Sequence, residues 1–188
     1  YKPTLPDQAK AAVGALAGAA FPIVHMMKKQ GVKNPLKVKY GLPEMILVSA
    51  TTVIGSVLAA MPGNDTKTNR RKAEEGVFQF CNAAIPTWLA ASTLKLCETS
   101  QKFNNAWAKI ISTAGAILVG MMGSAEVSNL ICDPHDKNPD RKLTLKDTIA
   151  NLDDLFGVLI LAKVPFVDKL HLEKALPFIY VYCGYRAG

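Results

Sequence analysis

Four stretches of the chain contain no Asp, Glu, Lys or Arg, and each is about as long as a membrane-spanning helix. They cover residues 11–27, 45–63, 76–94 and 110–125. An α-helix rises 1.5 Å per residue, so about 17–20 predominantly apolar residues cross the hydrocarbon core of a bilayer. A surface helix of a soluble protein would instead show a charged face. The pattern predicts an all-α, polytopic membrane helical bundle with at least four spanning helices.

The last quarter of the chain, residues 144–188, follows a different pattern. Thr144 is a candidate N-cap with Asp147 three residues later, which predicts the start of a polar helix. The apolar runs 155–167 and 175–185 that follow are each too short to span a bilayer alone. We expect this C-terminal element to form a short apolar helical hairpin or one bent span.

A duplicated two-helix unit is a further expectation. An alignment of the first and third segments places Pro22 on Pro86, and an alignment of the second and fourth places Val48 on Ile111. The two offsets are nearly equal, which suggests parallel repeats at 11–63 and 76–125. We therefore predict a single integral membrane domain over 1–188 that contains this duplication.

Small residues recur at four-residue spacing inside the apolar segments. Gly14 and Gly18 form a GxxxG motif, while Gly55 and Gly120 lie in similar patterns with Ala59 and Ser124. Membrane helices associate by close backbone approach, which small residues permit. Gly14, Gly18, Gly55 and Gly120 are therefore predicted to be helix-packing residues.

Charge adds a prediction about lipid. The chain has a net charge of +7, and residues 28–39 hold five lysines without an acidic residue. These are Lys28, Lys29, Lys33, Lys37 and Lys39. Lysines beside an apolar span suit contact with anionic lipid headgroups. Counting Lys and Arg in the linkers gives equal numbers for the two membrane sides, so the count leaves the orientation open. The sequence shows no basic face with interleaved aromatic residues, so it does not favour binding to nucleic acid.

Chemical motifs are scarce. The four cysteines show no CxxC spacing, and the spacing of the candidate ligands around His135 does not match an EF-hand. The ionisable residues Glu44, Lys109 and Glu126 lie near segment ends, where contact with headgroups costs little. We expect no catalytic residues, no metal and no cofactor.

These patterns favour a non-catalytic, multi-pass integral membrane protein that packs as a small subunit into a larger membrane assembly. Its expected partners are an anionic lipid bilayer and other membrane subunits or copies of itself. The alternatives are a small channel or transporter built from parallel two-helix repeats, and an integral membrane enzyme. A soluble all-α bundle is a further alternative, because the segments are rich in Ala, Gly, Ser and Thr.

Overall fold

The computed structural model describes residues 4–151 and 176–188, and within these ranges the chain is helical, without β-strands. The helices are α1 (Leu5–Gln30), α2 (Leu42–Ala60), α3 (Thr66–Thr99), α4 (Ala106–Cys132), α5 (Leu145–Ala150) and α6 (Leu176–Ala187), with a short 3₁₀ turn at Pro35–Lys37. The prediction of an all-α fold is confirmed. Helices α1, α2 and α4 are long and apolar enough to cross a membrane, and they lie where the sequence predicts spans.

Local sequence signals explain where α1 begins and ends. Thr4 and Asp7 form a capping box, in which the Thr4 hydroxyl oxygen accepts a hydrogen bond from the Asp7 backbone N–H. The helix continues through Pro22 and stops at Gly31, which has a left-handed φ of 66°. Glycine adopts this conformation without the strain that a Cβ would cause. Pro43 lies in the first turn of α2, where its missing N–H leaves no helical hydrogen bond unmade.

The third apolar segment lies inside α3, which is longer than the segment itself. α3 begins ten residues earlier, at Thr66, and includes the charged residues that precede the apolar run. Asp65 caps its start by accepting a hydrogen bond from the Thr68 backbone N–H. Asn105 caps α4 in the same way through the Ala108 N–H.

The chain divides into two compact units. Unit 1 consists of Tyr1–Phe80 together with Pro177–Gly188, and unit 2 consists of Cys81–Leu176. In unit 1, α1 and α2 form a helix pair that also contacts α6. In unit 2, the second half of α3 pairs with α4. The single domain over 1–188 stays a prediction.

Two parts of the predicted C-terminal element are described. α5 begins after Thr144, whose backbone N–H and hydroxyl both donate to the Asp147 carboxylate, so the predicted start of the helix is confirmed. The apolar run at 175–185 forms most of α6, with Tyr180, Cys183 and Ala187 buried. The apolar run at 155–167 lies outside the described residues, and with it the choice between a hairpin and a bent span.

Candidate helix-packing site and lipid-contact surface

Glycines bring the backbones of α1 and α2 into direct contact. A Cβ built on Gly14 would clash with the Gly55 carbonyl oxygen and lie 2.6 Å from the Ala59 Cβ. A Cβ built on Gly18 would clash with the carbonyl oxygen of Thr51. Side chains do not approach so closely, so the two helices pack backbone against backbone at successive turns. Three of the four predicted packing residues, Gly14, Gly18 and Gly55, thus meet in one interface.

Hydrogen bonds fix the register of this antiparallel pair at both ends. At one end, the Gln30 side chain donates to the Lys39 carbonyl oxygen at 2.8 Å and accepts from the Lys39 N–H at 2.9 Å. At the other end, the Lys10 ammonium donates to the Pro62 carbonyl oxygen at 2.9 Å. The glycine contacts lie between these two fixed points.

α6 packs on the α1–α2 pair through two further glycines. A Cβ on Gly184 would lie 2.7 Å from the Thr52 Cβ. A Cβ on Gly188 would lie 2.5 Å from the Ser56 Oγ and 2.7 Å from the Ala11 Cβ. Gly184 and Gly188, the residue after α6, have GxxxG spacing. The C-terminal segment therefore packs against α2 through small residues, as α1 does.

The sequence analysis did not identify Gly184 and Gly188 as packing residues. The signal was available, since the GYRAG run has the same four-residue spacing as Gly14 and Gly18. Two tyrosines add to the contact of α6 with unit 1. The rings of Tyr180 and Tyr40 are 6.4 Å apart, and the Tyr185 hydroxyl lies 3.3 Å from the Gln8 Oε1.

Charged groups are buried at the end of unit 1 where α1 begins. Lys72 is only 3% exposed and donates to the Gly188 carbonyl oxygen at 2.5 Å. Asp7 is 5% exposed and accepts from the Asn64 amide at 3.3 Å. Burial lowers the pKa of Lys72, while the nearby Asp7 carboxylate acts in the opposite direction. These groups join α1, α3 and α6 by polar contacts beside the glycine interface.

In unit 2, the fourth predicted packing residue has a different partner. A Cβ on Gly120 of α4 would lie 2.6 Å from the Cα of Pro86 in α3. One turn further along α4, the Ser124 hydroxyl shares its hydrogen between the Cys81 carbonyl oxygen of α3 at 3.0 Å and the Gly120 carbonyl oxygen of its own helix at 2.6 Å. The antiparallel α3–α4 pair therefore combines one close backbone approach with one hydrogen bond between the helices.

A buried ion pair fixes the segment between α4 and α5. Arg141 donates to both carboxylate oxygens of Asp147, at 2.6 and 3.1 Å, and Asp147 is fully buried. The Asn129 side chain bonds both the N–H and the carbonyl oxygen of Arg141. The Asn151 amide donates to the Asn82 Oδ1 at 3.1 Å. Side chains of α3, α4 and α5 thus belong to one set of polar contacts within unit 2.

The inward faces of the candidate spans combine polar or small residues with large apolar ones such as Val48, Val53 and Ile117. In α2, Ser49, Thr52 and Ser56 are at most 2% exposed, and they follow one another on a single helix face. In α4, Thr113, Ser124 and Ser128 are buried in the same way. A water-soluble bundle buries mainly large apolar residues, so the burial of these Ser and Thr side chains departs from that pattern.

The outward faces of the same helices consist of large apolar side chains. α4 has the longest such face, on which Leu118 is 60% exposed and Met122 is 65% exposed. The exposed set on the three candidate spans comprises Leu5, Val13, Leu16, Phe21, Val24, Leu47, Ile54, Leu58, Trp107, Ile111, Leu118, Val119, Met122, Val127, Leu130 and Ile131. Apolar surface on this scale marks a lipid or protein contact.

The predicted headgroup contacts form a defined loop, which we call the lysine loop (residues 28–39). Lys28, Lys29, Lys33, Lys37 and Lys39 are all exposed. The Gln30–Lys39 hydrogen bonds close the loop at its base, and the Asn34 side chain caps the 3₁₀ turn inside it. The five ammonium groups are therefore carried by an ordered backbone.

The described residues offer little for catalysis or metal binding. Of the four cysteines, Cys81, Cys97 and Cys183 are buried. Among residues 4–151 and 176–188, no group of three or more His, Cys, Asp or Glu side chains is placed to hold a metal ion.

Comparison with known proteins adds no assignment: the chain matches no protein-family model, no curated protein and no solved structure.

Proposed function

We propose that the chain is a non-catalytic integral membrane protein that serves as a small subunit of a larger membrane assembly. The observation that carries the proposal is the row of exposed large apolar side chains along α1, α2 and α4, while Ser, Thr and Gly residues of these helices are buried together with Val, Ile and Met. In water, an apolar surface of this size would favour aggregation. In a bilayer, the same surface lies against acyl chains, and the polar groups find partners inside the protein.

A fourth span in α3 belongs to this proposal. The residues between Glu75 and Lys95 contain no charge, and at 1.5 Å per residue they extend about 28 Å, close to the thickness of the hydrocarbon core. Their buried polar side chains, Gln79, Asn82 and Thr87, repeat the inward polarity of α2 and α4. The exposed Trp88 faces outward in the same segment.

A subunit accounts for the interior of unit 1 better than a channel does. A pore needs a polar face that remains open to solvent. The polar face of α2 is instead covered by α6, with Gly184 against Thr52 and Gly188 against Ser56. Assembly then falls to the outward apolar faces, because the glycine face of α1 is already in contact with α2.

Contact with anionic lipid completes the proposal. The lysine loop presents five exposed cations at the end of two apolar helices. Lysine next to a span attracts anionic headgroups and helps to hold the helix ends at the membrane surface.

Extraction of membranes at alkaline pH tests the membrane assignment. We expect the protein to remain in the pellet after treatment with sodium carbonate and to leave it only in detergent. Release into the carbonate supernatant would return the chain to the class of soluble bundles.

The protein mass of the species extracted in mild detergent, without the bound detergent, tests the subunit assignment. We expect a protein mass larger than that of the 20.3 kDa chain, whereas a monomer contradicts the assignment.

Reporter cysteines test the fourth span. We expect Trp88→Cys in α3 to resist a water-soluble maleimide in native membranes and to react after denaturation. Leu118→Cys in α4 is the matched control, because it is similarly exposed in a helix already suited to spanning. Labelling of Trp88→Cys in native membranes, with Leu118→Cys protected, would reject a span in α3.

A further inference from the structure

The two ends of the α1–α2 pair expose very different amounts of unpaired charge. At the lysine-loop end, five lysines are exposed, and no hydrogen bond or ion pair among the described residues involves their ammonium groups. The nearest acid in the chain is Glu44, in the first turn of α2. This end therefore presents a concentrated positive charge to its surroundings.

The opposite end holds as many cations, of which Lys72 is buried and Arg70 is paired with an acid, while Lys10 stays exposed and charged beside a neutral carbonyl group. Lys10 donates to the Pro62 carbonyl oxygen, and Lys72 is buried against Gly188 and close to Asp7. Arg70 forms an ion pair with Glu74 at 2.8 Å. The exposed cations that remain on α3 at this end are Lys67 and Arg71, beside Asp65 and Glu75.

We infer that the lysine loop faces the cytoplasmic leaflet and binds its anionic headgroups, which fixes the orientation of the α1–α2 pair in the membrane. The inference rests on the proposed membrane function and goes beyond it. A simple count of Lys and Arg gives no preference, since both ends of the pair hold a similar number. Pairing breaks this tie, because a cation that is neutralised by an acid or buried in the protein attracts lipid phosphate weakly.

The structure of the loop strengthens this attraction. The Gln30–Lys39 hydrogen bonds and the Asn34 cap hold the backbone in one conformation, so little loop entropy is lost when headgroups bind. Each exposed lysine near an anionic leaflet contributes a factor of about five to binding. The lysine loop therefore prefers the anionic leaflet much more strongly than the opposite end of the α1–α2 pair does.

Two exposed prolines provide matched reporters for the orientation. Pro35 lies in the lysine loop and Pro62 at the opposite end of the pair. In intact bacterial cells that express the full chain, we expect a membrane-impermeant maleimide to label Pro62→Cys, and Pro35→Cys only after the membrane is permeabilised. The unmodified chain gives the background from its native cysteines.

A second set of variants tests the role of the lysines. Replacing all five lysines of the loop by Gln should raise the labelling of Pro35→Cys in intact cells at least fivefold. Lys67→Gln with Arg71→Gln, the matched control, should leave it unchanged.

Labelling of Pro35→Cys in intact cells, with the protein still in the carbonate pellet, overturns the orientation and leaves the membrane assignment standing. Unchanged labelling in the five-lysine variant overturns the role of the loop. Release of the protein by carbonate overturns both proposals.

Discussion

The α1–α2 pair and the α3–α4 pair are both antiparallel, yet their helices are joined in different ways. α1 and α2 touch backbone to backbone at Gly14 and again at Gly18. α3 and α4 make such an approach at Gly120, and the Ser124 hydroxyl adds a hydrogen bond to the Cys81 carbonyl oxygen. The first pair relies mainly on shape, and the second adds polar contacts to a smaller close approach.

The two pairs also differ in register. The offsets that suggest a duplication map Gly18 onto Asn82 and its partner Thr51 onto Ala114. In unit 2, however, the residue opposite Cys81 is Ser124. The difference is about ten residues, or about 15 Å along the helix. At these offsets the second pair is not a copy of the first, so we leave the duplication out of the proposed function.

The comparison teaches that small residues in the sequence indicate close packing without indicating how much of it occurs. Both α1 and α4 contain several glycines. In α1 both helical glycines are packed, whereas in α4 a Cβ on Gly115 or Gly123 meets no described atom within 4 Å. Whether a glycine contributes to stability therefore depends on its packing against a neighbouring helix, and its presence in the sequence alone does not indicate this.

The largest expected effect is on the α1–α2 interface. Replacing Gly14 and Gly18 together by Leu forces the two backbones apart, and overpacking at each position costs about 1–3 kcal/mol. We expect the free energy of unfolding in detergent to fall by about 2–6 kcal/mol. Since this face contacts α2, we expect a lower Tm without a distinct change of assembly state on native gels.

Gly115→Leu is the matched control for this pair of changes. Gly115 is exposed and lies in the middle of α4. A helical Leu is favoured over Gly by up to about 1 kcal/mol, so this variant should be as stable as the original or slightly more stable. An equal loss of unfolding free energy in the double variant and in Gly115→Leu would show that close packing is not the cause of the destabilisation.

The second effect concerns the ion pair of unit 2. Arg141→Ala removes the guanidinium group that donates to both oxygens of the buried Asp147 carboxylate, which we expect to cost about 3 kcal/mol of unfolding free energy. Arg70→Ala removes the exposed pair with Glu74 and should cost less than about 0.5 kcal/mol. Chemical denaturation of both variants measures the difference. Similar values would mean that the burial of Asp147 has no energetic consequence.

A smaller effect is expected at the close approach in unit 2. Gly120→Ala places a Cβ against the backbone of Pro86, and the strain should exceed the gain in helix propensity by about 1–2 kcal/mol. Gly123→Ala on the same helix has open space among the described residues and should stabilise the protein slightly. Thermal unfolding of the two variants side by side tests this, and a Gly120→Ala variant with an unchanged Tm contradicts the contact.

The smallest effect concerns Tyr40, a residue that contacts α6 in unit 1. Burial raises the pKa of Tyr40 to about 12, whereas an unfolded tyrosine ionises near pH 10. The buried, neutral Tyr40 therefore makes its full contribution to the free energy of unfolding below pH 10, and this contribution is lost as the pH rises towards 12. The Tyr40→Phe variant should not lose this stability at high pH, because phenylalanine does not ionise. The matched control, Tyr182→Phe, should still show the loss. Thermal unfolding between pH 8 and 12 checks the difference, and identical profiles would contradict a buried Tyr40.

Much of the fold was accessible from the sequence. Charge-free runs identified the apolar parts of α1, α2, α3 and α4, and Thr144 with Asp147 correctly indicated the start of α5. These predictions succeeded because they depend on local composition and on hydrogen bonds between near neighbours. The GxxxG spacing indicated the face of α1 that packs, although not that α2 would be its partner.

The remaining features depend on contacts between distant parts of the chain. The run that forms α6 was judged by its length alone, and length does not reveal that Gly184 and Gly188 fit against α2. Likewise, Lys72 lies in a charged stretch that looks solvated in sequence, but it is buried and donates to the carbonyl oxygen of Gly188. Such pairings follow from tertiary packing, which periodicity and composition do not encode.

The position of α6 has a consequence for how the protein is made. Tyr185 and Gln8 are 177 residues apart in the chain, and Gly188 lies against Ala11. During synthesis the α1–α2 pair therefore emerges long before the helix that covers its polar face. Contacts between residues so far apart in sequence form late and slowly. Until α6 arrives, Ser49, Thr52 and Ser56 remain without that cover, so the closure of unit 1 is a late step in biogenesis.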